Sequence, residues 1–375
     1  MSLDPAPAGS AAALGTVRVV GTGLLGTSVA LGLAAAGGRV LLADTSPTAL
    51  ALARDLGAGE PDPGDVPCDL VVVAAPPDVT AAVVRAELAA HPQATVTDVA
   101  SVKAGILQQV ADGGGDLVRY VGSHPMAGRE RSGPVNARGD LFLGRPWVVC
   151  GTAKSDPGRV DVVRQLALAL GATPVTLSAQ AHDEAMAVVS HVPQVAASLV
   201  AARLRVVDDE SVALAGGGLR DVTRIAASDP LLWAQILSAN AGPVLAQLQA
   251  LRQDLDGVID GLAAIHAEEG AQTAAGARAA VAAVVAQGNQ GRERIPGKHG
   301  GTPTRYAVLT VVIPDAPGSL GRLFADIGAA SVNVEELTLE HAPGRAVGLL
   351  EVSVLPSVRD TLEQALAAAG WHVVG

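Results

Sequence analysis

The chain has 375 residues, of which 49% are hydrophobic and only 2% aromatic. That length exceeds one compact core and suits two or three domains, packed mainly with Ala, Val and Leu. A formal net charge of −11 argues against a nucleic-acid-binding surface.

Residues 1–15 lack the basic start and apolar stretch of a signal peptide and read as a flexible tail. No apolar run is read as long enough to span a bilayer, so no membrane partner is expected and the cytoplasm is the expected compartment. Cys68 and Cys150 border apolar strands. They read as small buried hydrophobes rather than as a disulfide or a nucleophile.

A β-branched strand over Thr16–Val20 runs into Gly21-Thr-Gly23-Leu24-Leu25-Gly26, and a helix follows from Ser28. This is G-x-G-x-x-G in the strand–turn–helix setting that gives the motif its meaning. Gly21 permits the tight turn, Gly23 lets the backbone approach a pyrophosphate, and Gly26 lets the helix pack on the strand. A second strand, Arg39–Ala43, ends in Asp44, an acidic side chain suited to the ribose hydroxyls. NAD is therefore expected over NADP. The alternative is a glycine turn and a helix-capping Asp before Ser46-Pro47.

Strands at 69–75 and 95–99 flank a helix at 79–90, and the second runs into Ala100-Ser101-Val102-Lys103. The carboxyl ends of such strands are where open α/β sheets bind ligands. Ser101 and Lys103 read equally as a helix cap and a solvated lysine. Further strands at 117–121, 145–150 and 173–177 complete the sheet. Between them, Gly122-Ser-His124-Pro-Met-Ala-Gly128-Arg-Glu130-Arg-Ser-Gly133 has no helical or strand period, and it concentrates an imidazole, a carboxylate and two guanidinium groups. Loops of this kind commonly carry chemistry.

From about residue 180 long apolar helices take over, at 181–205, 230–256 and 262–286. They are apolar over too much of their circumference for solvated helices, and a two-fold dimer would bury them. Two polar islands interrupt them: Ser190-His191-Val-Pro193-Gln194 and Arg220-Asp221-Val-Thr-Arg224. A structural histidine and a helix-end ion pair between Arg224 and Asp229 are the plain alternatives. A glycine-rich basic linker at 288–304 precedes a β-α-β-β-α-β pattern at 305–375, which predicts a ferredoxin-like domain.

These motifs, in this order, resemble the prephenate/arogenate dehydrogenase family of tyrosine biosynthesis over nearly the whole chain after the tail. The resemblance implies a Rossmann-type NAD-binding domain at 16–180, an all-helical substrate and dimerisation domain at 181–287, and a C-terminal ACT regulatory domain. It implies NAD-dependent oxidative decarboxylation of prephenate, with arogenate as the alternative substrate, and a homodimer. By position in the motifs, His124 matches the catalytic histidine, Ser101 its hydroxyl partner and Arg224 the substrate arginine. His191, Glu130 and Asp221 match residues near the pocket. Gln194 stands where many members carry a second histidine. The Pro-Asp315-Ala-Pro-Gly318 turn, with Asn333, would hold an aromatic amino-acid effector. No metal is expected. Two other readings compete: a β-hydroxyacid dehydrogenase, disfavoured because residues 180–286 contain no lysine, and a non-catalytic amino-acid sensor, disfavoured by the intact Gly21, Asp44, Ser101, His124 and Arg224.

Overall fold

The computed structural model describes residues 11–127, 133–267, 271–295, 306–341 and 347–374. Contacts divide the chain into two compact units, one of residues 1–207 and 222–250, the other of residues 208–221 and 251–375.

In chain order the first unit begins with β1 (Thr16–Val20), α1 (Leu24–Ala35), β2 (Arg39–Ala43), α2 (Pro47–Asp55), β3 (Glu60–Pro61), β4 (Leu70–Val73), α3 (Pro77–Ala90), β5 (Thr95–Asp98) and α4 (Ala104–Asp112). The strands form a five-stranded parallel sheet of order β3-β2-β1-β4-β5. Every residue of β4 and of the edge strand β5 is buried, as expected where helices cover both faces of a parallel sheet. Helix starts follow local chemistry. Ser46 accepts from the Ala49 amide with Pro47 in the first turn of α2, a standard N-cap with a preorganised first turn.

The chain continues through β6 (Gly122–Pro125), β7 (Pro146–Cys150), α5 (Pro157–Ala169) and β8 (Thr173–Thr176). These strands make a separate three-stranded sheet of order β6-β7-β8. Three corrections follow. The strand expected at 117–121 is not one; Tyr120 makes only an isolated bridge to Val96. The His124 stretch, read as irregular, opens as β6, antiparallel to β7 with His124 opposite Val148. Pairing with the apolar Trp147-Val-Val149 strand overrides its weak local pattern. Residues 11–15, expected in the tail, are partly packed: Ala11 and Leu14 are buried in the core beside Val17, Leu33 and Trp147. Cys68 and Cys150 are buried and free, as expected.

Next come α6 (Ala179–Met186), a π-turn at Ala187–His191, α7 (Val192–Arg203), α8 (Asp209–Val212), α9 (Gly217–Thr223), α10 (Pro230–Ala239), α11 (Ala241–His266) and α12 (Ala271–Arg292). The helix expected at 230–256 is thus broken at Asn240, which closes α10 before α11 begins. The π-turn has a local cause. Pro193 has no N–H for the Val189 carbonyl and its ring crowds that carbonyl, so the preceding turn widens. The helix therefore runs on through the polar island, and Ala179–Val206 forms 28 residues long and apolar enough to cross a membrane. This corrects the expectation that no run reaches that length. His182, Asp183 and His191 of this stretch are nevertheless buried with polar partners inside the first unit, which places that part in a protein interior. Elsewhere the helices keep apolar side chains exposed, among them Val189, Leu199, Leu231 and Leu245.

The second unit contains β9 (Ala307–Pro314), α13 (Ser319–Ala329), β10 (Glu336–His341), β11 (Val347–Val354), α14 (Arg359–Ala368) and β12 (His372–Val374). The strands form an antiparallel sheet of order β10-β11-β9-β12. Leu309, Val311, Leu323, Leu350, Val352 and Leu362 build its core. Trp371 closes it, donating to Asp326 Oδ2 at 2.7 Å beneath the Arg322 guanidinium, 4.1 Å from the ring centre.

Candidate active site

The glycine loop is built for close approach. Gly21 has φ 97°, and a Cβ there would run into the Ala74 carbonyl. A Cβ at Gly26 would strike the Gly21 carbonyl, whereas one at Gly23 would meet nothing within 4 Å. The space before the α1 N-terminus is therefore an open cradle kept clear by Gly23. Gly23 caps α1 without a side-chain bond, and the first amides of a helix, here of Leu24, Leu25 and Gly26, have no partner within it. Such an end suits a pyrophosphate. Asp44 does not cap α2; Ser46 does. Its Oδ2 accepts from the Thr22 amide at 2.5 Å and the Thr22 hydroxyl at 2.8 Å, and its Oδ1 accepts from the Ser46 amide at 2.7 Å. The carboxylate is thereby fixed at the loop, and these residues fit a dinucleotide. Asp44→Ala is expected to raise KM for NAD and to narrow the preference over NADP. Wild-type turnover of NADP equal to that of NAD would remove this role from Asp44.

At the end of β5 lies a buried polar cluster. Asp98 is fully buried and Lys103 is 1% exposed. Lys103 Nζ donates to Asp98 Oδ1, the Tyr120 hydroxyl donates to Asp98 Oδ2 at 2.7 Å, and the Ala100 amide donates to Oδ1 at 2.9 Å. Lys103 is thus no solvated lysine. Nor is Ser101 the helix cap: the N-cap position of α4 is Lys103, and the capping acceptor comes from far along the chain. Asp183 Oδ1 accepts from the Lys103 amide and Oδ2 from the Ala104 amide, both at 2.8 Å. Ser101 lies on the half-buried turn between β5 and α4.

His124 projects from β6 and is half-buried. Its Nδ1 lies 2.8 Å from Nε2 of His182, whose Nδ1 lies 2.7 Å from Asp183 Oδ1. Burial, and then the neighbouring His182, Lys103 and His191, hold the His124 ring well below the usual histidine range. His124 is therefore neutral near pH 7 and able to take a proton. His191, 1% exposed, is also pushed down, chiefly by burial. The π-turn places it against Asn240, whose Nδ2 is 3.0 Å from His191 Nδ1, and edge-on to Trp233 with ring centres 6.0 Å apart. Gln194 is buried, within 3.4 Å of both Ser198 Oγ and Ser228 Oγ.

Arg224 is exposed, and among the described residues it pairs with no carboxylate. Asp229, its expected ion-pair partner, instead caps α10 by accepting from the Leu231 amide at 2.8 Å and the Leu232 amide at 3.3 Å. The helix-end ion pair is therefore not formed. Asp221 is exposed on α9 and belongs to the second unit. Glu130 lies outside the described residues.

A prephenate dehydrogenase nucleotide-binding domain matches residues 29–176, and a prephenate dehydrogenase dimerization domain matches residues 178–272. Along the whole chain, the probable prephenate dehydrogenase NovF of Streptomyces niveus is 35% identical, covering 95% of this chain and 98% of its own. The chain belongs to the prephenate dehydrogenase family. Bacillus subtilis prephenate dehydrogenase is 27% identical over 90% of this chain and 91% of its own. The crystal structure of prephenate dehydrogenase from Aquifex aeolicus, in complex with hydroxyphenyl propionate and NAD+, superposes with a TM-score of 0.64 at 28% identity, covering 75% of this chain and 98% of that one. Membership agrees with the expected oxidoreductase class and with NAD as cofactor.

Within this family site, sequence reasoning missed His182, Asp183, Asn240 and Tyr120. His182-Asp183 sits in a helical run in which one imidazole and one carboxylate look like a solvated face. Their burial at 0% and 3% exposure is a tertiary fact. Asn240 carried one usable signal, a polar residue between two apolar helical stretches.

Proposed function

We propose that the protein is an NAD-dependent prephenate dehydrogenase, converting prephenate to 4-hydroxyphenylpyruvate and CO2. The observation that carries this reading is a neutral, partly enclosed imidazole, His124, at the end of a strand in the same unit as the open Gly23 cradle. NAD, when bound, supplies the hydride acceptor. The chain supplies the rest. His124 accepts the proton of the ring hydroxyl as that carbon is oxidised, and Ser101 hydrogen-bonds the same hydroxyl. Arg224, unpaired among the described residues, holds a carboxylate of the dianionic substrate through charge-assisted bonds. His191 and Gln194 border the substrate. Loss of CO2 needs little assistance, because the product ring is aromatic. The deciding assay follows NADH formation with prephenate and arogenate side by side. Turnover of arogenate alone would replace the substrate assignment, and turnover of neither would end the reading.

Arg224→Ala is expected to raise KM for the substrate by the equivalent of about 1.5–3 kcal/mol, the worth of a bond to a charged group. The melting temperature should stay unchanged, since none of the described residues forms an ion pair with Arg224. A lowered melting temperature with normal kinetics would return Arg224 to a structural role.

The dimerization-domain match at 178–272 and the exposed apolar side chains of α7, α10 and α11 support a homodimer through the helical region. The second unit supports a regulatory reading. Its β-α-β-β-α-β order and strand arrangement support a ferredoxin-like domain of the ACT type. Asp315, Ala316, Pro317, Gly318 and Leu339 line a cavity of about 360 Å³, with Gly318 at φ 89° starting α13. An aromatic amino acid is the proposed effector. Asn333 contributes less than expected: it precedes β10 and donates to Glu335 Oε1 at 3.0 Å. Tyrosine or phenylalanine should change the activity of the full chain and not of a version ending at Gly291. Equal inhibition of both would place the effector at the active site.

A further inference from the structure

We propose that His182, Asp183 and Asn240 are positioning residues that hold the two site imidazoles in opposite tautomers: His124 with a proton on Nδ1 and a free Nε2, His191 with a proton on Nε2 and a free Nδ1. The inference rests on the dehydrogenase reading for its consequence, though not for its geometry.

The assignment starts from the groups that can only accept. Asp183 receives the Lys103 amide on Oδ1 and the Ala104 amide on Oδ2, both at 2.8 Å. A carboxylate with amide donors on both oxygens is an acceptor. His182 Nδ1, 2.7 Å from Oδ1, therefore carries a proton and donates it. We take the His182 ring as singly protonated, which leaves its lone pair on Nε2. His124 Nδ1, 2.8 Å away, must donate to it. Among the described residues His124 Nε2 has no hydrogen-bond partner, and it is the nitrogen left to take a proton.

The second assignment runs through Asn240, 2% exposed. Its side-chain group faces the Asp183 carbonyl at 2.8 Å and His191 Nδ1 at 3.0 Å. A carbonyl can only accept, so the group facing it is the NH2, and its second hydrogen goes to His191 Nδ1. Nδ1 is then a lone pair and His191 Nε2 bears the proton. One ring is prepared as a base and the other as a donor to an anionic oxygen. Asp183 serves both, through its side chain to His182 and its backbone to Asn240. In the proton transfer, the substrate O–H bond breaks and an N–H bond forms at His124 Nε2. The resulting imidazolium keeps its Nδ1–H bond to His182, which Asp183 orients, as the buried aspartate does in a serine-protease triad. Among the described residues, the titratable groups that act on His124 are His182, Lys103 and His191, with Asp98 bonded to Lys103 and Asp183 to His182.

The test uses the full chain labelled with 15N-histidine. His124→Asn and His191→Asn identify the two ring spectra. The expected wild-type result is His124 protonated at Nδ1 and His191 at Nε2. Either ring in the other tautomer overturns the inference. Kinetics give a second reading. His182→Leu removes the acceptor and should lower kcat by about 10²-fold or more, the scale of a positioned base, with KM changed less than about 2-fold. His182→Gln, whose amide oxygen can occupy the Nε2 place, should recover most of that loss. Equal kcat for the two variants, or loss in KM rather than kcat, overturns the positioning role. If the wild type turns over neither prephenate nor arogenate, the functional reading fails while the tautomer spectra still decide this inference.

Discussion

His124→Asn should lower kcat by roughly 10²–10⁴-fold, the usual contribution of a positioned acid–base group, with substrate affinity little changed. Asn keeps a polar group near the Nδ1 position and so spares the packing of β6 against β7, but it has no basic nitrogen. The pH dependence carries the same signature. The neutral ring is the active form, so activity falls as pH drops through the His124 pKa. That pKa is pushed well below the ordinary histidine value by burial and by His182, Lys103 and His191. The acid limb of kcat/KM in the wild type should therefore lie clearly below pH 6.5, the unperturbed value. A variant with near-wild-type kcat, or an acid limb at or above that value, would remove His124 from the chemistry.

The largest effect on stability is expected at the Asp98–Lys103 pair. Both side chains are almost without solvent contact, at 0% and 1% exposure. Lys103→Met leaves the carboxylate with only the Tyr120 hydroxyl and the Ala100 amide. Breaking a buried pair from one side costs about 3–5 kcal/mol, because the other charge stays buried and uncompensated. Lys103→Met with Asp98→Asn together should be milder than Lys103→Met alone, since no unpaired charge remains. Thermal denaturation of the three proteins checks the order. A single variant melting with the wild type would show that the pair contributes nothing to stability.

What the sequence made legible was what lies close along the chain. The Gly21–Gly26 loop, its flanking strand and helix and Asp44 span little more than 20 residues, and each local choice points to the same turn. The parallel sheet was readable from runs such as Leu70–Val73, apolar on both faces. The C-terminal domain was readable from its order of strands and helices, with apolar residues recurring at every second position of β9. The polar interior was not legible, because its partners are remote. Lys103 looks solvated although Asp98 is only five residues away, because the burial of the pair under Tyr120, 22 residues from Asp98, is a tertiary fact, and the α4 cap is invisible in a search of its own preceding residues. The π-turn at His191 could have been suspected from Pro193 following four helical residues, but not the buried Asn240 that meets it.

The α4 cap has a further consequence, for how the molecule comes into being. Asp183 reaches Lys103 across 80 residues of chain, so the start of α4 stays uncapped until α6 has been made and has docked. A fragment covering only the nucleotide-binding portion would emerge from the ribosome with that helix end frayed and with His124 lacking its neighbour. Its glycine cradle, whose contacts run to Ala43, Asp44 and Ala74, all earlier in the chain than α4, would already be in place. Such a fragment should capture dinucleotide while having no competent proton acceptor. Cofactor affinity and catalytic competence are thus acquired at different moments of synthesis, and a truncation that preserves the first gives no assurance of the second.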